Sequence, residues 1–119
     1  MGWRFDVGGV EMNIGNAGLL SMMLFASGCI FDHLTTAYGL TLPTVTEMNK
    51  IVLPLMGYGV WHIIEILIIV AGTCSGFIAV RLNSNLTRNL SMIALMMVGL
   101  IRLYAGTQNL TIIFKILTS

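Results

Sequence analysis

The sequence predicts an all-α integral membrane protein: a bundle of three transmembrane helices that follows a short N-terminal extramembrane or interfacial segment. Of its 119 residues, 56% are hydrophobic and only 9% are charged, whereas about 25% of the residues of a soluble domain are charged. The hydrophobic residues gather into three stretches, each long enough for the helix of about 20 residues that a bilayer requires. We therefore expect spans at about residues 18–40, 58–80 and 90–110.

The N-terminal residues 1–17 contain four glycines and no sustained hydrophobic period. We interpret them as an extramembrane lead, in which Trp3 rests at the level of the lipid headgroups. Residues 18–119 then form the three-helix transmembrane domain.

The first span is expected to begin at Gly18 and to end near Leu40. Pro43 follows shortly afterwards, and the residue before a proline is disfavoured in a helical conformation. A loop at residues 41–50 leads to a second, longer apolar run.

The second apolar run extends from residue 51 to residue 80. Pro54 and Gly57 near its start predict a short interfacial piece before the membrane helix proper. Tyr58 and Trp61 then fall where aromatic side chains commonly line the membrane interface.

The third span follows the polar segment 81–88, and Thr87 or Asn89 is the predicted N-cap. Residues 111–119 are expected to extend its helix past the interface. Three spans place the termini on opposite sides of the membrane. The bias of basic residues towards the N-terminal side predicts a cytoplasmic N-terminus.

Asp32, Glu65 and Arg102 are charged residues that lie inside the three spans, one in each. A charge at the centre of a membrane helix costs about 2.5 to 3.5 kcal/mol, so such residues usually pair, face the bundle interior or serve a site. Counting along the predicted helices places all three some 10 to 12 Å below the outer interface. We therefore predict an intramembrane polar layer that contains an ion pair.

Small residues recur on the same helical faces as these charges, at spacings of three or four residues. Small residues allow membrane helices to approach closely. We predict helix packing at six of them: Gly28, Gly39, Gly72, Gly76, Gly99 and Gly106.

Three roles for the polar layer remain open. Arg102 can neutralise Asp32 and Glu65 and simply hold the bundle together. Two carboxylates against one arginine also leave about one spare negative charge, which a path for protons or cations could use. Finally, His33 and His62 are candidate metal or proton ligands beside the two carboxylates, since His62 and Glu65 lie three residues apart on one helix.

One pair of motifs resembles a known pattern. Residues 32–36 (DHLTT) and 47–49 (EMN) are similar to the Asp-x-x-x-Thr and Glu-x-Asn-Pro motifs of short prokaryotic integral membrane proteins of unknown function. The resemblance covers roughly residues 20–80, with Lys50 in place of the proline.

This resemblance implies that Asp32, Thr36, Glu47 and Asn49 belong together at the outer end of the bundle. It also implies that Asn109 corresponds to an asparagine late in the third helix of those proteins. It also implies the cell membrane of a prokaryote. The resemblance does not imply any activity.

Small size and little extramembrane mass favour a non-catalytic accessory or structural subunit of a larger membrane complex, such as a membrane oxidase, a monooxygenase or a respiratory complex. The expected partners are other membrane subunits and lipid. A net charge of +1 without a basic patch argues against nucleic acid. The alternatives are a homo-oligomeric proton or cation transporter or channel that uses Asp32 and Glu65, and a metal-binding membrane enzyme. No other cofactor is predicted.

Overall fold

A computed structural model of the protein describes residues 4–7, 10–45 and 51–119. The elements within these residues are, in chain order, β1 (Arg4–Val7), β2 (Val10–Asn13), α1 (Ile14–Gly39), α2 (Val52–Gly57), α3 (Trp61–Ala79) and α4 (Asn85–Thr118). Three of the helices, α1, α3 and α4, are long and apolar enough to cross a membrane. The predicted class, an all-α bundle of three membrane helices, is thus confirmed.

The N-terminal lead contains a short hairpin that its sequence did not predict. β1 and β2 pair in antiparallel fashion, from Arg4 opposite Asn13 to Val7 opposite Val10. Helix α1 begins at Ile14, directly after β2 and four residues before the expected start of the first span. Residues 14–17 contain no proline, so nothing in them prevents this earlier start.

One turn follows the end of α1, and another precedes the start of α3. After Gly39 the backbone tightens into turns in which Leu42 N–H donates to the carbonyl of Gly39 at 3.0 Å, just before Pro43. The short helix α2 occupies the place predicted for the interfacial piece. Gly59 then adopts a φ of +69°, which favours glycine, and α3 starts two residues later.

Helix α4 begins earlier than predicted, and its expected caps were wrong. Ser84 has an extended backbone and accepts a hydrogen bond from the Thr87 N–H at 3.4 Å, so Ser84 is the N-cap. The helix has 34 residues and is therefore about 51 Å long at about 1.5 Å per residue. That exceeds the hydrocarbon core of a bilayer, about 30 Å thick.

Helix α1 is the centre of the bundle. It contacts both α3 and α4, most extensively α4. The two backbones meet where Gly28 faces Gly99: a methyl group on Gly28 would collide with the Gly99 carbonyl oxygen, and one on Gly99 would lie 2.6 Å from the Leu24 carbonyl oxygen. Only glycine permits this distance between the helices.

The other four glycines predicted to pack helices also lie beside neighbouring helices. Their contacts are Gly39 beside Ile113, Gly72 beside Phe25, Gly76 beside Met22 and Leu95, and Gly106 beside Phe31. All three long helices therefore approach one another through small residues.

The buried apolar cluster is small, with Phe25, Cys29 and Leu95 at its centre. Large apolar side chains instead cover the outside of the bundle; Leu67 on α3 and Ile101 on α4 are 60% and 61% exposed. Such a surface is unfavourable in water and fits a membrane location.

We expect Gly28→Ala to destabilise the bundle by about 1 to 3 kcal/mol, the usual cost of overpacking. The added methyl meets backbone atoms of Gly99, which cannot rotate away as a side chain could. Thermal unfolding in detergent, followed by circular dichroism, measures the effect.

Gly57→Ala is the matched control, because a Cβ atom at Gly57 would have no described atom within 4 Å. Equal melting temperatures for the two variants would contradict the close approach of α1 and α4.

Candidate functional site

The site is centred on Arg102 of α4, whose guanidinium group bridges two carboxylates on two other helices. Arg102 Nη1 donates to Asp32 Oδ2 of α1 at 2.7 Å, and Nη2 donates to Glu65 Oε1 of α3 at 3.3 Å. Asp32 and Glu65 are 8% and 6% exposed. The structure thus brings together the three charged residues that the sequence assigned to one level.

The glycine contact explains how these groups come within reach. Asp32 follows Gly28 by four residues and Arg102 follows Gly99 by three, so each charge lies one helical turn beyond the closest approach and on the same face. The carboxylate and the guanidinium are therefore held side by side at the interface between α1 and α4.

Asn109 adds a second tier of hydrogen bonds, two turns beyond Arg102 on α4. Its Nδ2 lies 3.3 Å from Asp32 Oδ1, 2.8 Å from Thr36 Oγ1 and 3.4 Å from Thr35 Oγ1. Thr35 Oγ1 itself donates to the Phe31 carbonyl at 2.9 Å. Both oxygens of Asp32 consequently have partners, one in Arg102 and one in Asn109.

His33 and His62 approach each other but take no part in these ion pairs. His33 Nε2 and His62 Nδ1 are 2.9 Å apart, and the ring centroid of His33 lies 4.4 Å from that of Trp61. His62 is exposed although Glu65, three residues later, is buried. A spacing of three residues therefore does not bring His62 and Glu65 onto the same buried face of α3.

Trp61 is only 5% exposed, and its predicted level at the membrane interface stays a prediction. It lies one helical turn before Glu65 and packs against His33 of α1. That spacing of four residues was the sequence signal for its burial. Tyr58, by contrast, is 82% exposed.

A cavity of about 360 Å³ opens beside the ion pairs, at the end of the bundle where α1 ends and α3 begins. Its polar lining consists of Asp32, Thr35, Thr36, Trp61, Glu65, Arg102 and Asn109. Its apolar wall includes Leu40 and Val45, which follow α1, Val52 of α2, and Ile112 and Ile113 of α4.

Two polar atoms of the lining residues are buried without a hydrogen-bond partner among the described residues: Glu65 Oε2 and Trp61 Nε1. An unpaired buried polar group is costly, and most such groups have a partner. One acceptor and one donor of the residues around the cavity are thus left unpaired within the described part of the chain.

Of the residues of the resembling motif, Asp32 and Thr36 meet at Asn109. Glu47 and Asn49 lie outside the described residues, so their predicted place above the bundle stays a prediction. Within residues 4–7, 10–45 and 51–119, no three His, Cys, Asp or Glu side chains are grouped as a metal site. The four-residue ligand set suggested by the sequence, Asp32 and Glu65 with the two histidines, is not assembled there.

The fold places the chain in the class of three-helix membrane proteins. No protein-family model matches it, and neither the curated proteins nor the solved structures provide a significant match. The resemblance to short prokaryotic membrane proteins is thus carried by the motif residues alone and stays a hypothesis.

Arg102→Met should reduce the free energy of unfolding by about 3 to 5 kcal/mol, because it leaves two buried carboxylates without a counter-charge. Equilibrium unfolding in mixed detergent micelles, followed by circular dichroism, measures the loss. Arg88→Met is the control: Arg88 binds Asn85 Oδ1 near the exposed start of α4, and its loss should cost about 1 kcal/mol.

Neutralising Asp32, Glu65 and Arg102 together, as Asn, Gln and Met, should be less destabilising than Arg102→Met alone, because no buried charge is then left unpaired. A triple variant less stable than the single one would count against charge pairing as the source of the effect.

Proposed function

We propose that this chain is a non-catalytic accessory or structural subunit of a larger membrane complex, such as a membrane oxidase, a monooxygenase or a respiratory complex. The observation that carries the proposal is the use of the buried charges. Arg102 binds both carboxylates at once. The groups of the bundle that are most costly to bury therefore contact one another and fix the arrangement of three helices.

The outer surface supports the same role. Ile66 and Leu67 on α3 and Ile101 and Tyr104 on α4 are each more than half exposed. Apolar faces of this kind fit lipid or the helices of other subunits, where close packing of side chains drives association. A bundle whose own helices are already fixed offers such partners a rigid surface.

The proposed location is the cell membrane of a prokaryote, with the N-terminus in the cytoplasm. The orientation is supported by Arg4, Arg81 and Arg88 on one side of the three spans against Lys50 and Lys115 on the other.

The test is purification of the tagged chain from its native membranes in a mild detergent, followed by native mass spectrometry. We expect other membrane proteins in fixed stoichiometry with the chain. A symmetric assembly of this chain alone would contradict the subunit role.

Arg102→Met and Arg88→Met extend this test as a matched pair. Loss of the ion pairs should reduce the recovery of partners severalfold, whereas Arg88→Met should retain them. Equal recovery would show that the assembly does not depend on the fixed helix arrangement.

One observation favours a second candidate, a homo-oligomeric transporter or channel for protons or cations. Asp32 and Glu65 both line the cavity, and Glu65 Oε2 has no partner among the described residues. Two carboxylates against a single arginine leave about one spare negative charge, which a transported proton or cation would neutralise.

Flux measurements on the purified chain in liposomes separate the two candidates. For a transporter, Asp32→Asn should abolish proton- or cation-dependent flux and preserve assembly, whereas Asp6→Asn, which removes a carboxylate outside the spans, should preserve both. For a structural subunit, the unmodified chain shows no flux and Asp32→Asn weakens assembly.

A further inference from the structure

We infer that Arg81 and Arg88, which flank the loop between α3 and α4 (the α3–α4 loop, residues 80–84), bind the phosphate of an anionic phospholipid headgroup. The inference goes beyond the proposed subunit role, because it concerns a lipid and a part of the chain outside the ion pairs. It rests on the membrane location of α3 and α4 and not on any partner subunit.

The α3–α4 loop lies at a surface of the membrane. It joins two helices that are each long and apolar enough to cross a bilayer. Helix α3 has 19 residues, which is about 28 Å at about 1.5 Å per residue and matches a hydrocarbon core about 30 Å thick. The residues directly after α3 are therefore at the level of the headgroups, and residues 81–87 are all exposed.

Arg81 is held against the lipid-facing surface of α3. Its Cζ lies 4.2 Å from the ring centroid of Phe77, one helical turn earlier, and Phe77 is 53% exposed. A cation over an aromatic ring is attracted by it. This contact keeps the charge of Arg81 next to the lipid and away from the surrounding water.

Arg88 approaches the same loop from the first turn of α4. Its Nη1 donates to the Leu82 carbonyl at 3.4 Å, and its Nη2 donates to Asn85 Oδ1 at 2.7 Å. Leu82 directly follows Arg81 in the chain, so the guanidinium group of Arg88 is held over the loop on which Arg81 lies. Both of its acceptors are uncharged, and the charge of Arg88 is not neutralised by them.

The positive charge of this region has no counter-ion in the described part of the chain. The sequence contains no Asp or Glu after residue 65. The described ion pairs use the carboxylates of Asp32 and Glu65, and both are with Arg102. Two guanidinium groups without a carboxylate favour an anion, and the guanidinium group matches the geometry of phosphate oxygens.

Apolar side chains beside the two arginines select a lipid over a soluble phosphate. Leu82 and Leu86 are 37% and 69% exposed, and with Phe77 they offer contact to acyl chains. A zwitterionic headgroup carries its own cation, which offsets the charge of its phosphate. Basic residues at the membrane surface are therefore attracted to anionic lipids, of which phosphatidylglycerol is the probe we choose.

Native mass spectrometry of the purified full chain in a non-ionic detergent, titrated with lipid, measures this binding. We expect phosphatidylglycerol to bind about tenfold more tightly than phosphatidylcholine with the same acyl chains. Raising ammonium acetate from about 0.1 M to about 1 M should weaken the binding, since the Debye length falls from about 10 Å to about 3 Å. This second measurement needs no variant.

Variants test the assignment to the two arginines. Arg81→Gln and Arg88→Gln should each weaken phosphatidylglycerol binding about fivefold, and the double variant about 25-fold. Lys115→Gln is the matched control: Lys115 is also basic and exposed, but it lies in the last turn of α4, so its loss should leave the binding unchanged. Circular dichroism establishes that each variant is folded.

Four results would overturn the inference. Equal affinities for phosphatidylcholine and phosphatidylglycerol would mean that the headgroup charge is not recognised. Unchanged binding in the double variant would place the lipid elsewhere on the chain. An equal loss in Lys115→Gln would mean a general attraction between charges without a site. Displacement of the lipid by inorganic phosphate at equal concentration would mean a site for free phosphate.

Discussion

Arg102 shares its guanidinium group between Asp32 and Glu65, and this pairing imposes the main constraint on the bundle. Each of the three long helices supplies one member, so the helices must agree in height as well as in rotation for the contacts of 2.7 Å and 3.3 Å to form. Any sliding of one helix would leave a buried charge without its partner, at a cost of several kcal/mol. The ion pairs thus specify one arrangement among the many that apolar helices alone could adopt.

The glycine contact between α1 and α4 follows from the same constraint. Gly28 and Gly99 lie one turn from Asp32 and Arg102, and their missing side chains let the two backbones approach closely enough for the charges to meet. Asn109 continues the interface for two more turns by binding Asp32 and the neighbouring threonines. Close packing and polar pairing therefore support each other along a single face of α4.

The two carboxylates of the site are used differently. Arg102 and Asn109 bind both oxygens of Asp32, whereas only one oxygen of Glu65 has a partner among the described residues. Asp32 is therefore the carboxylate that is held more firmly in the bundle. Asn109, which binds the second oxygen of Asp32, belongs to α4, and α4 contacts α1 more extensively than it contacts α3.

Composition and helical periodicity were sufficient to predict the three membrane helices, the common level of Asp32, Glu65 and Arg102, and the small residues beside them. These features depend on local hydrophobicity and on a spacing of 3.6 residues per turn, both of which can be read along the chain. Other features arose only when the helices packed: the contact of His33 with His62, and the cavity. Each depends on how far a helix is rotated about its own axis and on where the segment around α2 lies. The rotation of a helix and the location of that segment are both set by contacts between residues distant in the chain. Neither can be read from the residue pattern of a single helix.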